Sequence, residues 1–140
     1  MNIQPSKLRQ FSNACLNTAG VPEREAQTIT ETMIEADAKG IHSHGLLRLP
    51  IYIERIRHGL MLPIANVTLE RDNKATAVLD GHGSAGQVVA SKAMELAIAK
   101  AEQYGIGVVS AHNSNHFGIA AHYALKASRS NMIGIVMSNT

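Results

Sequence analysis

Apolar residues recur along the first third of the chain at helical spacing. Leu8, Phe11, Cys15 and Leu16 share one face of a segment that Pro5-Ser6 opens and Gly20 stops. Pro22 occupies a typical first helical position. From Glu23 to Lys39, Ala26, Ile29, Met33, Ile34 and Ala36 mark an inward face opposite Glu25, Glu31 and Glu35, and Gly40 ends the run. Leu46, Leu49, Ile53 and Ile56 predict a third helix reaching Arg57, with Pro50 in its first turn and Gly59 as its stop. Beyond Pro63 the period changes. Val67 to Glu70 and Thr76 to Leu79 read as two short strands across the polar turn Arg71-Asp72-Asn73-Lys74.

Gly86 to Tyr104 is the clearest amphipathic helix, with Val88, Val89, Ala93, Met94, Leu96, Ala97, Ile98 and Ala101 directed inward. Ile106 to Ser110 predicts a strand. An alanine-rich helix follows from His116 or Phe117 to about Arg129, and Ile133 to Met137 reads as a last strand. Helix, strand, helix, strand in that order predicts an α/β arrangement with those two strands parallel. The expected division is a helical start over about 1–63 and an α/β part over about 64–140. No repeat, low-complexity tract or linker interrupts it.

At 140 residues the chain has the length of one domain that can bury a core. Its hydrophobic content of 45% and charged content of 17% are ordinary for a globular protein. The net charge is +2, the basic residues are scattered, and there are only three Tyr, two Phe and no Trp. A nucleic-acid footprint needs clustered basic residues with aromatics for stacking, so that class is set aside. The single cysteine, Cys15, has no internal disulfide partner and reads as a buried, inert thiol in a reducing compartment. No apolar run approaches the ~20 residues that span a bilayer. A soluble, cytoplasmic protein is expected.

Polar chemistry concentrates in two places. His42, Ser43, His44 and Arg48 fall within seven residues, and His112-Asn113-Ser114-Asn115-His116-Phe117-Gly118 forms a second cluster. The histidines invite a metal, but there is no HExxH, no cysteine pair and no nearby carboxylate, so none is expected. Gly81-His82-Gly83-Ser84-Ala85-Gly86 spells GxGxxG between a strand and a helix. Asp80 would set a carboxylate beside an anionic pyrophosphate, and the next strand ends without an acid for a ribose hydroxyl, so a plain glycine turn is the preferred reading.

Ser43, His44 and Arg48 fit acid/base work on a carboxylate substrate: a histidine moves the proton, the serine fixes its tautomer, and the arginine fork binds the carboxylate. The same cluster also fits a solvated loop, and the residues alone leave the two readings level. Asn113 to Gly118 leads into a helix start, where backbone N–H groups suit a phosphate or oxyanion; these are equally ordinary capping residues.

Taken together, Ser43-His44-Gly45, Leu47-Arg48, Tyr52, Gly59 and Pro63 resemble the N-terminal signature of the malate/L-lactate dehydrogenase family of the second type. That family includes ureidoglycolate and sulfolactate dehydrogenases, diketogulonate reductases and cyclic-imine carboxylate reductases. Asp80-Gly81, Gly86-Gln87-Val88, Asn113 to Gly118 and Ile133-Gly134 extend the resemblance in consistent order from about Ser6 to Thr140.

The resemblance implies a non-Rossmann dehydrogenase fold and NAD- or NADP-dependent interconversion of a 2-hydroxy acid and a 2-keto acid. It implies proton transfer by the histidine at His44, assisted by Ser43, or by that at His116. Arg48 and Tyr52 would contact the small carboxylate substrate. His116, Phe117, Gly118, Ile119, Ala120 and Thr140 would contact the cofactor. Members are typically dimers with the active site near the subunit interface, so the full-length form is expected to be a homodimer. They are more than twice as long, so this chain corresponds to an apparently truncated N-terminal portion, without some cofactor contacts and an acidic partner. Two alternatives stand beside this one: a Rossmann-type dehydrogenase using Gly81 to Gly86, and a non-catalytic fragment that associates with full-length subunits.

Overall fold

A computed structural model of the chain describes residues 3–139. Helices α1 (Pro5–Thr18) and α2 (Glu23–Ala38) form the predicted N-terminal pair. Gly20 (φ +91°) and Gly40 (φ +74°) follow them in the left-handed conformation that glycine adopts at least cost. After α2, two short 3-10 turns, His42–His44 and Leu46–Arg48, carry the chain into α3 (Leu49–Arg57). Pro50 lies in the first turn of α3, where its missing N–H leaves no intrahelical bond unmade.

A three-stranded sheet follows, in the order β1-β2-β3: β1 (Thr68–Asn73), β2 (Thr76–Ser84) and β3 (Val108–Ser114). The first pair is antiparallel and the second parallel, and α4 (Gly86–Tyr104) makes the crossover between β2 and β3. Helix α5 (Ala120–Arg129) comes last. The core joins Leu16, Val21, Ala26, Ile29, Met33, Leu49, Tyr52, Met61, Ala85 and Val88. It therefore ties α1, α2 and α3 to the first turn of α4, and this junction is where the polar clusters converge.

Several expectations change. The β1–β2 turn is only Lys74-Ala75: Arg71, Asp72 and Asn73 pair with Val78, Ala77 and Thr76, and Lys74 takes the positive φ of a tight reversal. Gly81 to Ser84 is not a turn feeding a helix. It continues β2 through an irregularity, with His82 and Gly83 at positive φ and the Asp80 carboxylate accepting the His82 N–H at 2.8 Å.

The last helix begins at Ala120 rather than His116 or Phe117, because Gly118 (φ +81°) holds the preceding chain out of helical conformation. Ile133 to Met137 is no strand: the segment has no backbone ladder among the described residues. Parallel pairing occurs instead between β2 and β3. Phe11 points outward, and Cys15 is only half-buried. On α4 the inward positions are Gln87, Val88, Val89, Ser91 and Lys100, while Ala93, Met94, Leu96, Ala97, Ile98 and Ala101 are half-covered. Lys100 is buried because its ammonium pairs with Asp72 and the Lys74 carbonyl across the hairpin.

Candidate active site

Asp37 shapes the first cluster. A carboxylate near a helix C-terminus is disfavoured by the dipole, and here it has specific partners. Asp37 accepts the Leu46 N–H at 2.9 Å and pairs with His42 Nδ1 at 2.8 Å. Gly45 lies flat on this carboxylate, and a Cβ there would overlap it. His42 is thus a structural neighbour, and the two 3-10 turns are fixed to the end of α2. They present Ser43, His44 and Arg48 on one side. Ser43 Oγ lies 2.9 Å from His44 Nδ1, and Arg48 donates Nε–H to the Ser43 carbonyl at 2.7 Å. Anchored at Nε, the guanidinium keeps its outer two-nitrogen edge, the geometry that receives a carboxylate.

The second cluster reaches the first through Asn115. Its carbonyl oxygen accepts from Arg55 Nε and Nη2 at 3.2 and 2.7 Å, and its amide donates to the Gly83 and Ser84 carbonyls at 2.8 and 3.3 Å. Gly86 faces the Asn115 and His116 carbonyls so closely that a Cβ would overlap both. Backbone therefore covers the start of α4, where a Rossmann pyrophosphate would sit. The Gly81 to Gly86 motif serves packing.

Held in this way, the His116 ring comes to 5.2 Å, centre to centre, from that of His44. The Tyr52 hydroxyl is 2.8 Å from His116 Nδ1, and the Gly118 N–H donates to the same atom at 3.3 Å. A backbone N–H can only donate, so Nδ1 accepts and the ring carries its proton on Nε2. Burial, then the charges of Arg48 and His44, hold the His116 pKa below its ordinary value. Tyr52 is only 2% exposed, and burial raises its pKa to about 12 against the opposing pull of Gln87 and Arg48. Only the Tyr52 hydroxyl reaches the site.

The other expected residues flank His116. Phe117 stacks on Tyr123 with ring centres 5.4 Å apart, Gly118 and Ile119 are buried, and Ala120 opens α5. No side chain caps α5 among the described residues, so its first N–H groups suit an anionic group beside His116. Thr140 lies outside the described residues. His112 pairs with Glu70 at 2.6 Å, away from His42, so the four histidines do not converge. No three His, Cys, Asp or Glu among the described residues are placed to hold a metal ion. A surface depression of about 540 Å³, lined by Asp37, His42, Leu46, Leu47 and Pro50, contains none of the acid/base groups.

Asp37, Arg55 and Gln87 carry no motif that marks them as site-supporting. The one available signal was Asp37, an acid placed where a helix dipole disfavours it.

Residues 3–140 match the malate/L-lactate dehydrogenase family. The chain belongs to that family. It is similar to the L-sulfolactate dehydrogenase of Methanothermobacter thermautotrophicus, with 40% identity over 140 residues, which is all of this chain and 41% of that protein. It is 37% identical over 137 residues to the NAD(+) ureidoglycolate dehydrogenase of Escherichia coli K12, covering 98% of this chain and 39% of the relative. Among solved structures it resembles the malate dehydrogenase of Pyrococcus horikoshii OT3 at a TM-score of 0.91 and 38% identity, over 93% of this chain and 37% of that one. The family chain described here thus spans about two fifths of the length of these relatives. Among the described residues, no helix is long and apolar enough to cross a membrane.

Proposed function

We propose that this chain carries the acid/base and carboxylate-binding part of a nicotinamide-dependent 2-hydroxy-acid dehydrogenase. One observation carries the reading: the His44 and His116 rings lie 5.2 Å apart, with Arg48 on the same side. These residues suit a substrate bearing a carboxylate next to a carbonyl or hydroxyl carbon. The Arg48 fork binds the carboxylate, which places the adjacent oxygen toward the imidazoles.

In reduction, an imidazolium gives its proton to the carbonyl oxygen; in oxidation, a neutral imidazole takes the hydroxyl proton. His116 suits this transfer because Tyr52 and Gly118 fix its ring from behind and its lowered pKa keeps it neutral near pH 7. His44, braced by Ser43, is the second group able to act. A nicotinamide cofactor, when bound, supplies or accepts the hydride at the substrate carbon. Gly118 to Ala120 and the uncapped start of α5 would hold its anionic part. The NAD(+) named for the ureidoglycolate relative supports NAD over NADP.

The 1–63 helical part and the 64–140 α/β part act as one portion of a longer, homodimeric cytoplasmic enzyme in this reading. Exposed Ile133, Ile135 and Met137 support a role in association as well. Titrating NADH and NADPH against the purified chain, with oxaloacetate, pyruvate and sulfopyruvate as acceptors, tests the proposal. Saturable cofactor binding with oxidation of NADH is expected. Absence of both means that these 140 residues have no dehydrogenase activity of their own.

A further inference from the structure

Gln87 is fully buried in the first turn of α4, and neither its amide oxygen nor its amide nitrogen has a hydrogen-bond partner among the described residues. Burying an unpaired amide is costly, so its surroundings matter. Ala85 and Val88, on either side of it in sequence, pack in the same core cluster as Tyr52. Gly86, its immediate neighbour, lies against the carbonyls of Asn115 and His116. The amide therefore lies beside the Tyr52 hydroxyl and acts on its ionisation, although no hydrogen bond of normal geometry joins them in this state.

Tyr52 has one proton and is already bonded to His116 Nδ1. While Nδ1 is bare, Tyr52 donates to it and its oxygen can accept from the Gln87 amide nitrogen. Once Nδ1 is protonated, Tyr52 must accept from the ring, and its own proton needs another acceptor. The Gln87 carbonyl oxygen is a buried acceptor available for that purpose.

We propose that Gln87 is a positioning residue whose buried amide sets the direction of the Tyr52–His116 hydrogen bond, and so determines which ring nitrogen of His116 is free to exchange a proton with substrate. This deepens the acid/base reading above and rests on it. A glutamine can serve both directions because it offers an acceptor and a donor at one place. A hydrophobic residue would fix Tyr52 as donor and penalise every state with a proton on Nδ1. The charged and titratable groups facing the ring are His44 and Arg48 from the 3-10 turns and Tyr52 from α3, while Tyr123 of α5 faces Tyr52.

The test is long-range 1H–15N NMR of the His116 ring across a pH titration of the labelled 140-residue chain, with neither cofactor nor keto acid present. The neutral wild-type ring is expected mainly as the Nε2–H form. Gln87→Met is expected to move its titration downward by about half a pH unit, ~3-fold in proton affinity, and Gln87→Glu to move it upward. On a Tyr52→Phe background the Gln87→Met shift should vanish. A wild-type ring divided evenly between tautomers overturns the proposal. So does an unmoved titration in a folded Gln87→Met chain, or a shift that survives Tyr52→Phe. If Gln87→Met loses its dispersed spectrum, the wild-type tautomer and the similarly sized Gln87→Glu variant decide. Failure of the chain to bind NADH would count against the dehydrogenase reading and leave these ring signals untouched.

Discussion

The Tyr52 hydroxyl and His116 Nδ1, 64 residues apart in sequence, lie 2.8 Å from each other. This bond joins the core side of α3 to the loop before α5, so the ring position depends on core packing as much as on its own loop. Tyr52→Phe removes the bond and keeps the ring. Loss of a hydrogen bond of this kind costs about 1 kcal/mol. Urea denaturation should show that loss, and the His116 ring signals should broaden as the side chain gains freedom.

His116 also imposes a pH dependence on stability. Its folded pKa lies below the ordinary 6.5 of the unfolded chain, so between the two values the unfolded state binds more protons. Stability contributed by the neutral ring is fully present above 6.5 and is lost as pH falls toward the folded value. His116→Asn should flatten this part of the stability curve. Arg48→Met, which removes a nearby positive charge, should raise the His116 titration toward its ordinary value by NMR.

Asn115 holds its loop through bonds to Arg55, Gly83 and Ser84. Asn115→Ala leaves the half-buried Arg55 without this acceptor and frees the start of the segment carrying His116. A destabilisation of about 2 kcal/mol is expected in chemical denaturation. Amide exchange should quicken most in residues 115–119.

Two glycines of the GxGxxG spelling should behave oppositely to a dinucleotide fingerprint. Gly83 faces open space, so Gly83→Ala carries only the strain of a positive φ, about 1 kcal/mol. Gly86→Ala gains helix propensity of a similar size but drives a methyl into two carbonyl oxygens. Gly86→Ala should be the more destabilising in a thermal melt and should displace the His116 signals. Equal effects of the two variants would refute this packing role.

Asp37→Asn removes the charge facing His42 and weakens the hold on the Leu46 N–H. The expected cost is about 1 kcal/mol, typical of a lost capping contact. Amide exchange across residues 42–48 should speed up while the α1–α2 pair remains protected.

Sequence periodicity identified the elements whose inward face continues over several turns. Helix α2 and helix α4 stand where Ala26 to Ala36 and Val88 onward placed them, and Gly40 and Gly105 end them as left-handed caps. Periodicity failed where backbone geometry decides. The reversal at Lys74, the extension of β2 through His82 and Gly83, and the delayed start of α5 behind Gly118 all depend on local positive φ values. The expected strand at Ile133 to Met137 failed for another reason: β-branched residues favour extended chain, but a strand needs a hydrogen-bonded neighbour. The meeting of His44 with His116 came from motif order, since no local pattern measures distance across 72 residues. Gln87 stayed hidden because its spacing on α4 is that of any core position.

The closeness of the two imidazoles has a consequence for charge storage. A proton on His44 opposes one on His116, and Arg48 adds to that opposition. The pair therefore fills anticooperatively, as a reservoir with room for one proton near neutral pH. A hydride transfer between a 2-hydroxy acid and its keto form exchanges a single proton with the protein per turnover, and this reservoir has the matching capacity.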